Sequence, residues 1–407
     1  MKATIYPTPL SGDIPAIASK SQAHRLLICA ALADKPTAIA CPTLSADITA
    51  TADCLRALGA DITYADGVFA VTPIRETPKT ATIDCGESGS TLRFLLPVVC
   101  ALGVETTIVL HGRLPERPLS PLWEELEGHG AVLTRPTPDT IAVSGALTGG
   151  DYTLAANVSS QFISGLLFAL PRLGTESHIH LTGTLESGAY LDMTVGALAR
   201  FGVKAPFQDM VYTLPAGQRY ISPGTVSVEG DWSNGAFWVV ADRILGGTLN
   251  ITGLDPHSPQ GDRAVESISL RIAAGSAVVD CREIPDLVPV LSVLAAVSPG
   301  QTRFINAQRL RIKESDRLKT TSSLLENLGA TVEELPDGLV VTSKTHLHGG
   351  TVDSANDHRI AMSAAIAALA CDEPVVVVGA QAVNKSYPAF WTDYQRLGGR
   401  VVLEDDL

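Results

Sequence analysis

One phrase recurs six times along this chain: an amphipathic helix that ends in glycine and runs directly into an apolar or β-branched strand. The copies are CLRALGADI around Gly59, LWEELEGHGAVL around Gly130, VGALARFGVKA around Gly202, ISLRIAAGSAVV around Gly275, LLENLGATV around Gly329 and YQRLGGRVV around Gly398. In each helix apolar residues fall at three- and four-residue spacing, so one face must be buried, and the glycine supplies the left-handed backbone that stops the helix. The glycines lie about 70 residues apart, with one shorter step of about 55 between Gly275 and Gly329. Strand-like runs such as TVSVEG, TLNIT, GLVVTS and PVVVVG sit between the helices, which makes each unit α/β. A period this long describes a small layered motif rather than the thin repeat of a solenoid scaffold. Three copies precede the stretch from Arg219 to Glu229 and three follow it, so two similar halves with a cleft between them are expected.

The length of 407 residues also favours two domains, and 45% hydrophobic residues suffice for a substantial core in each. A net charge of -13 argues against a nucleic-acid surface, because holding a polyanion needs a basic stripe. Any anion site must therefore be local. The seven cysteines are scattered, odd in number and without a C-x-x-C pair, so neither a zinc site nor a disulfide framework is indicated and a reducing cytoplasm fits best. The N-terminal residues MKATIYPTPL have no apolar core of a signal peptide, and no apolar run is long enough to span a membrane.

Against this apolar background, polar segments with cations fall repeatedly at expected helix starts. Lys20, Ser21 and Arg25 stand before LLICAALA, where a helix start adds N–H groups and a positive dipole. The segment from Cys85 to Arg93, CGESGSTLR, reads as strand, glycine turn and helix start, a geometry in which backbone N–H groups approach an anion, though it is not a Walker loop. Arg117 is held between Glu116 and Pro118 in a Pro-stiffened loop, Ser159, Ser160 and Gln161 precede FISGLLFAL, and Ser187 and Tyr190 form another polar turn. In the second half, RLRIKESDR packs four cations and two acids, and helical spacing puts Lys313 and Arg317 on one face. Arg359 in NDHR opens a helix of small residues, a costly place for a cation unless something anionic sits there. Lys385 follows another strand, and Asp286 lies beside the apolar run LVPVLSVLAA, where its titration could be altered. Each segment alone is also what a solvated surface or an ordinary helix cap looks like.

Taken in order, the set SKSxxxR, ESGSTLR, ERP, SSQ, IPD, KESDR, NDHR and NKSxP resembles the 3-phosphoshikimate 1-carboxyvinyltransferase (EPSP synthase) family of enolpyruvyl transferases, from Lys20 to Lys385. The resemblance implies an α/β fold, a two-domain inside-out α/β barrel of six βαβαββ units. Its first domain would be residues 16–226 and its second residues 1–15 with 227–407. It implies transfer of the enolpyruvyl group of phosphoenolpyruvate to the 5-hydroxyl of shikimate 3-phosphate, in a monomer without metal or organic cofactor. Shikimate 3-phosphate would be held by Lys20, Ser21, Arg25, Ser159, Ser160, Gln161, Ser187, Tyr190, Asp286, Arg309 and Lys313. Phosphoenolpyruvate would meet Lys20, Gly89, Arg117, Gln161, Arg317, Arg359 and Lys385. Lys20, Asp286 and Glu314 are the candidates for the proton transfers. Three positions depart from the family pattern: Ala18 where Gly is common, Glu87 where many members carry Asn, and Arg309 where an Asn phosphate ligand is often found. The related UDP-N-acetylglucosamine enolpyruvyltransferases share the expected fold, but their catalytic-loop Cys is missing between Gly112 and Pro121. A non-catalytic repeat scaffold has no reason to keep cations at helix starts in an acidic chain.

Overall fold

All six of the repeated glycines have positive φ, from 75° at Gly202 to 132° at Gly275, and each stops a helix. The computed structural model describes residues 1–344 and 346–405. Its helices are α1 (Lys20–Ala31), α2 (Ala46–Ala57), α3 (Gly89–Leu102), α4 (Leu122–Gly128), α5 (Ser160–Ala169), α6 (Gly188–Arg200), α7 (Trp232–Leu245), α8 (Val265–Ala273), α9 (Val288–Val297), α10 (Arg317–Asn327), α11 (His358–Ala367) and α12 (Phe390–Arg396). The chain divides into a middle unit, residues 18–229, and a flanking unit, residues 1–17 with 230–407.

The repeat is plainest in the second copy. Strand Thr80–Asp84 leads through α3 to the parallel strand Glu105–Val109, then through α4 to the hairpin Ala131–Thr137 and Thr140–Gly145, whose second strand pairs with Glu105–Val109. The same order holds around α5 and α6 and around α9 and α10. Two copies borrow a strand from a distant part of the chain. The sheet around α1 and α2 takes Thr225–Ser227 as its first strand, parallel to Thr37–Ala40. The sheet around α11 and α12 is completed by Lys2–Tyr6, antiparallel to both Val375–Val378 and Arg400–Glu404.

The remaining copy explains the short step in the sequence. Gly12–Pro15 pairs in parallel with Leu249–Thr252 around α7, but α8 leads directly to Ala277–Asp280, the first strand of the next copy. Its sheet has two strands where the other five have four. The missing hairpin shortens the interval from Gly275 to Gly329 relative to the others.

Within each unit the arrangement is inside-out. The helices α1, α3 and α5 are buried along nearly their whole length in one core, and α7, α9 and α11 in the other, while the sheets keep alternate residues exposed. No strand ladder closes a barrel among the described residues; the helices fill the centre. Close approach of α3 and α5 depends on two residues. Pro97 has no N–H to offer the Arg93 carbonyl one turn earlier, and Gly165 passes over that carbonyl so closely that a Cβ would lie 2.3 Å from its oxygen. Ser19, Ser88 and Ser159 cap α1, α3 and α5, each accepting a backbone N–H, a contribution of about 1 kcal/mol apiece.

Candidate functional site

In the middle unit these capped helix starts carry the singled-out residues. Lys20 is the first residue of α1, and its Nζ lies 2.8 Å from Asp47 Oδ2, with both side chains largely buried. Gly89 opens α3. A Cβ there would lie 2.5 Å from Arg117 Nη1, so the Arg117 guanidinium rests against the helix start in space that only glycine leaves. Glu87 turns toward the neighbouring loop, its carboxylate filling the space beside Gly112, which has φ +55°.

Arg25 ties α1 to α6. Its Nη1 donates to the Ser21 carbonyl (2.7 Å), Nη2 to the Tyr190 carbonyl (2.9 Å) and Nε to Thr194 Oγ1 (2.8 Å), while Phe94 lies under the guanidinium. Burial lowers its pKa to about 10. Ser187, just before α6, has φ +57°, a left-handed conformation unusual for a residue with a Cβ and of the kind that accumulates at ligand sites. Gln161 links α5 to α3: its Oε1 accepts from Arg93 Nη1 (2.9 Å) and its Nε2 donates to Ser90 Oγ (2.9 Å).

A buried relay joins the helix starts. His24 Nδ1 meets Thr51 Oγ1 at 2.7 Å, Thr51 meets Thr91 Oγ1 at 2.7 Å, and Thr91 donates to Ser88 Oγ at 2.8 Å. With the Thr91 hydrogen used on Ser88, Thr51 donates to Thr91 and His24 donates from Nδ1, which makes it the neutral Nδ1–H tautomer. Burial, with Lys20 and Arg25 adding repulsion, pushes the imidazole well below its ordinary pKa, in keeping with that state.

In the flanking unit the candidates converge on Asp286. Its Oδ1 accepts from Arg317 Nη1 (2.8 Å), its Oδ2 from Arg359 Nη2 (3.0 Å), and Lys313 Nζ lies 3.9 Å away. Arg317 is 2% exposed and also meets Asp357 through Nε (2.7 Å) and Nη2 (3.2 Å), with Glu314 at 3.5 Å. Burial opposes its charge, but Asp357, Asp286 and Glu314 outweigh that and raise its pKa. Glu314 Oε2 also accepts from His358 Nδ1 at 2.8 Å. Lys385 Nζ donates to the Asn356 carbonyl (2.5 Å), and Arg309 Nη2 donates to the Arg282 carbonyl (2.8 Å). Ligand atoms of Glu314, Asp357 and His358 lie within 4.8 Å of one another, but both Asp357 oxygens face Arg317, whose guanidinium takes the place of a cation.

Two expectations from the sequence are corrected here. Lys313 and Arg317 do not share a helix. Gln308–Ile312 form a 3-10 turn, Lys313 is extended, and Asp316 caps α10 by accepting the Lys319 N–H, so the helix starts only at Arg317. Both cations nonetheless reach Asp286. Nor is Arg359 left without an anion at the start of α11: Asp357 caps that helix and Asp286 pairs with the guanidinium.

Asp47, Arg93, Ser233, Asp262 and Asp357 join these networks without being candidates from the sequence. Ser233 Oγ accepts from Arg359 Nη2 at 2.6 Å and in turn hydrogen-bonds Asp262. Burial, and then Asp286, raise the Asp262 pKa to about 7 despite Arg359. Arg93 and Asp357 stood inside the quoted motifs, at a helical position and a cap position that could have flagged them; Asp47, Ser233 and Asp262 carried no such signal.

Residues 5–394 match the family model described as EPSP synthase (3-phosphoshikimate 1-carboxyvinyltransferase). The chain is 40% identical over 422 residues to a 3-phosphoshikimate 1-carboxyvinyltransferase of Clostridium novyi, covering 97% of each chain. It is 39% identical over 427 residues to that of Clostridioides difficile, covering 98% of this chain and 97% of the relative. Among solved structures, an EPSP synthase from Acinetobacter baumannii superposes with a TM-score of 0.81 at 22% identity, over 99% of this chain and 100% of that one. The enolpyruvyl transferase NikO from Streptomyces tendae superposes with a TM-score of 0.74 at 19% identity, over 98% of both. These two likenesses concern the fold.

Proposed function

The chain belongs to the EPSP synthase family, and from that premise we propose how its residues divide the family's reaction. The protein transfers the enolpyruvyl group of phosphoenolpyruvate to the 5-hydroxyl of shikimate 3-phosphate, giving 5-enolpyruvylshikimate 3-phosphate and phosphate. Each substrate carries a carboxylate and a phosphate, so a site for both needs several cations in partly dry surroundings.

Shikimate 3-phosphate is assigned Lys20, Ser21, Arg25, Ser159, Ser160 and Gln161 together with Ser187, Tyr190, Asp286, Arg309 and Lys313. Phosphoenolpyruvate is assigned Lys20, Gly89, Arg117, Gln161, Arg317, Arg359 and Lys385. The observation that carries the reading is the Arg117 guanidinium lying on the glycine that opens α3, where full charge, helix dipole and backbone donors coincide. The left-handed Ser187 and the Arg25 knot that holds the Ser21 and Tyr190 backbones support the shikimate 3-phosphate assignment. Arg309 and Arg25 already spend nitrogens on carbonyls, so their part is to hold neighbouring groups as much as to touch ligand.

The reaction proceeds by addition and elimination. The 5-hydroxyl oxygen bonds to C2 of phosphoenolpyruvate as it loses its proton, and C3 gains one. C3 of the tetrahedral adduct then returns a proton as the C2–O bond breaks and phosphate leaves. Lys20, Asp286 and Glu314 are the proton carriers, and each sits in a pair that can absorb the change of charge: Lys20 with Asp47, Asp286 with Arg317 and Arg359, Glu314 with His358. Arg117, Arg317, Arg359 and Lys385 stabilise charge on the adduct and the departing phosphate. The enzyme acts in the cytoplasm as a monomer, a setting that suits seven unpaired thiols.

Phosphate release from phosphoenolpyruvate, assayed with shikimate 3-phosphate and separately with UDP-N-acetylglucosamine, tests the reading. Release with the first alone is expected; release only with the second, or with neither, would sink it.

A further inference from the structure

Arg93 is a buried cation that the fold does not neutralise. It lies one turn into α3 and is 4% exposed. Nη1 donates to Gln161 Oε1 (2.9 Å), Nη2 to the Pro118 carbonyl (3.2 Å), and the guanidinium carbon is 5.5 Å from the centre of the Phe162 ring. Among the described residues its buried Nε has no hydrogen-bond partner. Every acceptor it meets is neutral, and among the described residues no carboxylate pairs with it. Its charged neighbour is Arg117, of the same sign, and burial followed by that repulsion drives its pKa well below the ordinary value. Burying a charge without an opposite one is costly, and two like charges together compound the cost, so folding alone does not account for this arrangement.

The same contacts constrain the proposed phosphoenolpyruvate residues. Because Gln161 Oε1 faces Arg93, the amide nitrogen must be the end turned to Ser90, so Arg93 fixes which way the amide points. Through the Pro118 carbonyl it also grips the residue that follows Arg117. We propose that Arg93 is a positioning residue and built-in counter-charge for the phosphoenolpyruvate site, holding Gln161 and the Arg117 loop in place with a positive charge that stays uncompensated until an anionic ligand binds. This rests on the assignment of Arg117 and Gln161 to phosphoenolpyruvate.

The uncompensated charge acts with opposite sign on stability and on binding. Arg93→Met keeps the side-chain length and removes the charge. Its ligand-free Tm is expected to equal or exceed that of the wild type, because a buried uncompensated charge has been replaced by an apolar chain. Its KM for phosphoenolpyruvate should rise about tenfold or more, while KM for shikimate 3-phosphate, which shares only Gln161 with these contacts, rises less. Arg93→Lys, which keeps the charge without the fork, should recover part of that loss. Thermal shifts with phosphoenolpyruvate and with inorganic phosphate, each without shikimate 3-phosphate, should be smaller in Arg93→Met than in the wild type. A ligand-free Tm below that of the wild type would make Arg93 an ordinary structural residue and overturn the proposal, as would an unchanged KM for phosphoenolpyruvate. Wild-type turnover measured in the same assays separates these outcomes from failure of the assigned reaction.

Discussion

A cation's meaning in this protein is set by what faces it. Arg317 is enclosed by Asp286, Asp357 and Glu314, whereas Arg117 lies on a helix start at Gly89. Replacing Arg117 by Ala should therefore reduce kcat/KM by about a hundredfold or more while leaving Tm within a few degrees, measured by steady-state kinetics and thermal melting; near-normal turnover in the folded variant refutes its role. Asp262 gives a prediction in pH. A carboxyl normally titrates near 4, but burial beside Asp286 raises this one to about 7, so across that interval the folded protein holds a proton the unfolded chain has lost. Stability from this group is present below pH 4 and is lost as pH rises through 7. Asp262→Asn should remove that slope and gain on the wild type by roughly 1 kcal/mol or more between pH 5 and 8 in urea melts. Parallel curves for the two proteins would mean that Asp262 is ionised throughout.

At the scale of elements, the recurrent helix–glycine–strand phrase was legible because both of its causes are local: apolar spacing along a helix and the positive φ of Gly59, Gly130 and their counterparts. The start of α10 was less so. Spacing alone would run a helix through Lys313, but the side chain of Asp316 captures the Lys319 N–H and resets the start to Arg317. The packing of α3 on α5 is a further case, since nothing in the string pairs Pro97 with Gly165. Gly165→Ala would press a methyl onto the Arg93 carbonyl, and should cost about 2 to 3 kcal/mol in chemical denaturation and weaken phosphoenolpyruvate binding through Arg93 and Gln161. Wild-type stability in that variant would show that the helices can separate freely.

For the whole molecule, two helix-centred cores replace any covalent framework. All seven cysteines are buried and unpaired, and burial pushes the thiols of Cys41, Cys100, Cys281 and Cys371 up to about 12. In a disulfide reagent at pH 8 the native protein should react slowly, the denatured protein should yield all seven thiols, and added reductant should leave Tm unchanged. Rapid labelling of the native state would contradict this burial. The amino-acid sequence by itself determined the number of repeats, their two halves and the motifs that mark the family, because apolar periodicity, glycine stops and short polar segments all act over a few residues. Only the tertiary structure decided which carboxylate faces which cation, that one repeat has no hairpin, and that Arg93 meets no anion among the described residues. Those depend on side chains from separate elements meeting in space, where burial makes each pairing, or its absence, count for most.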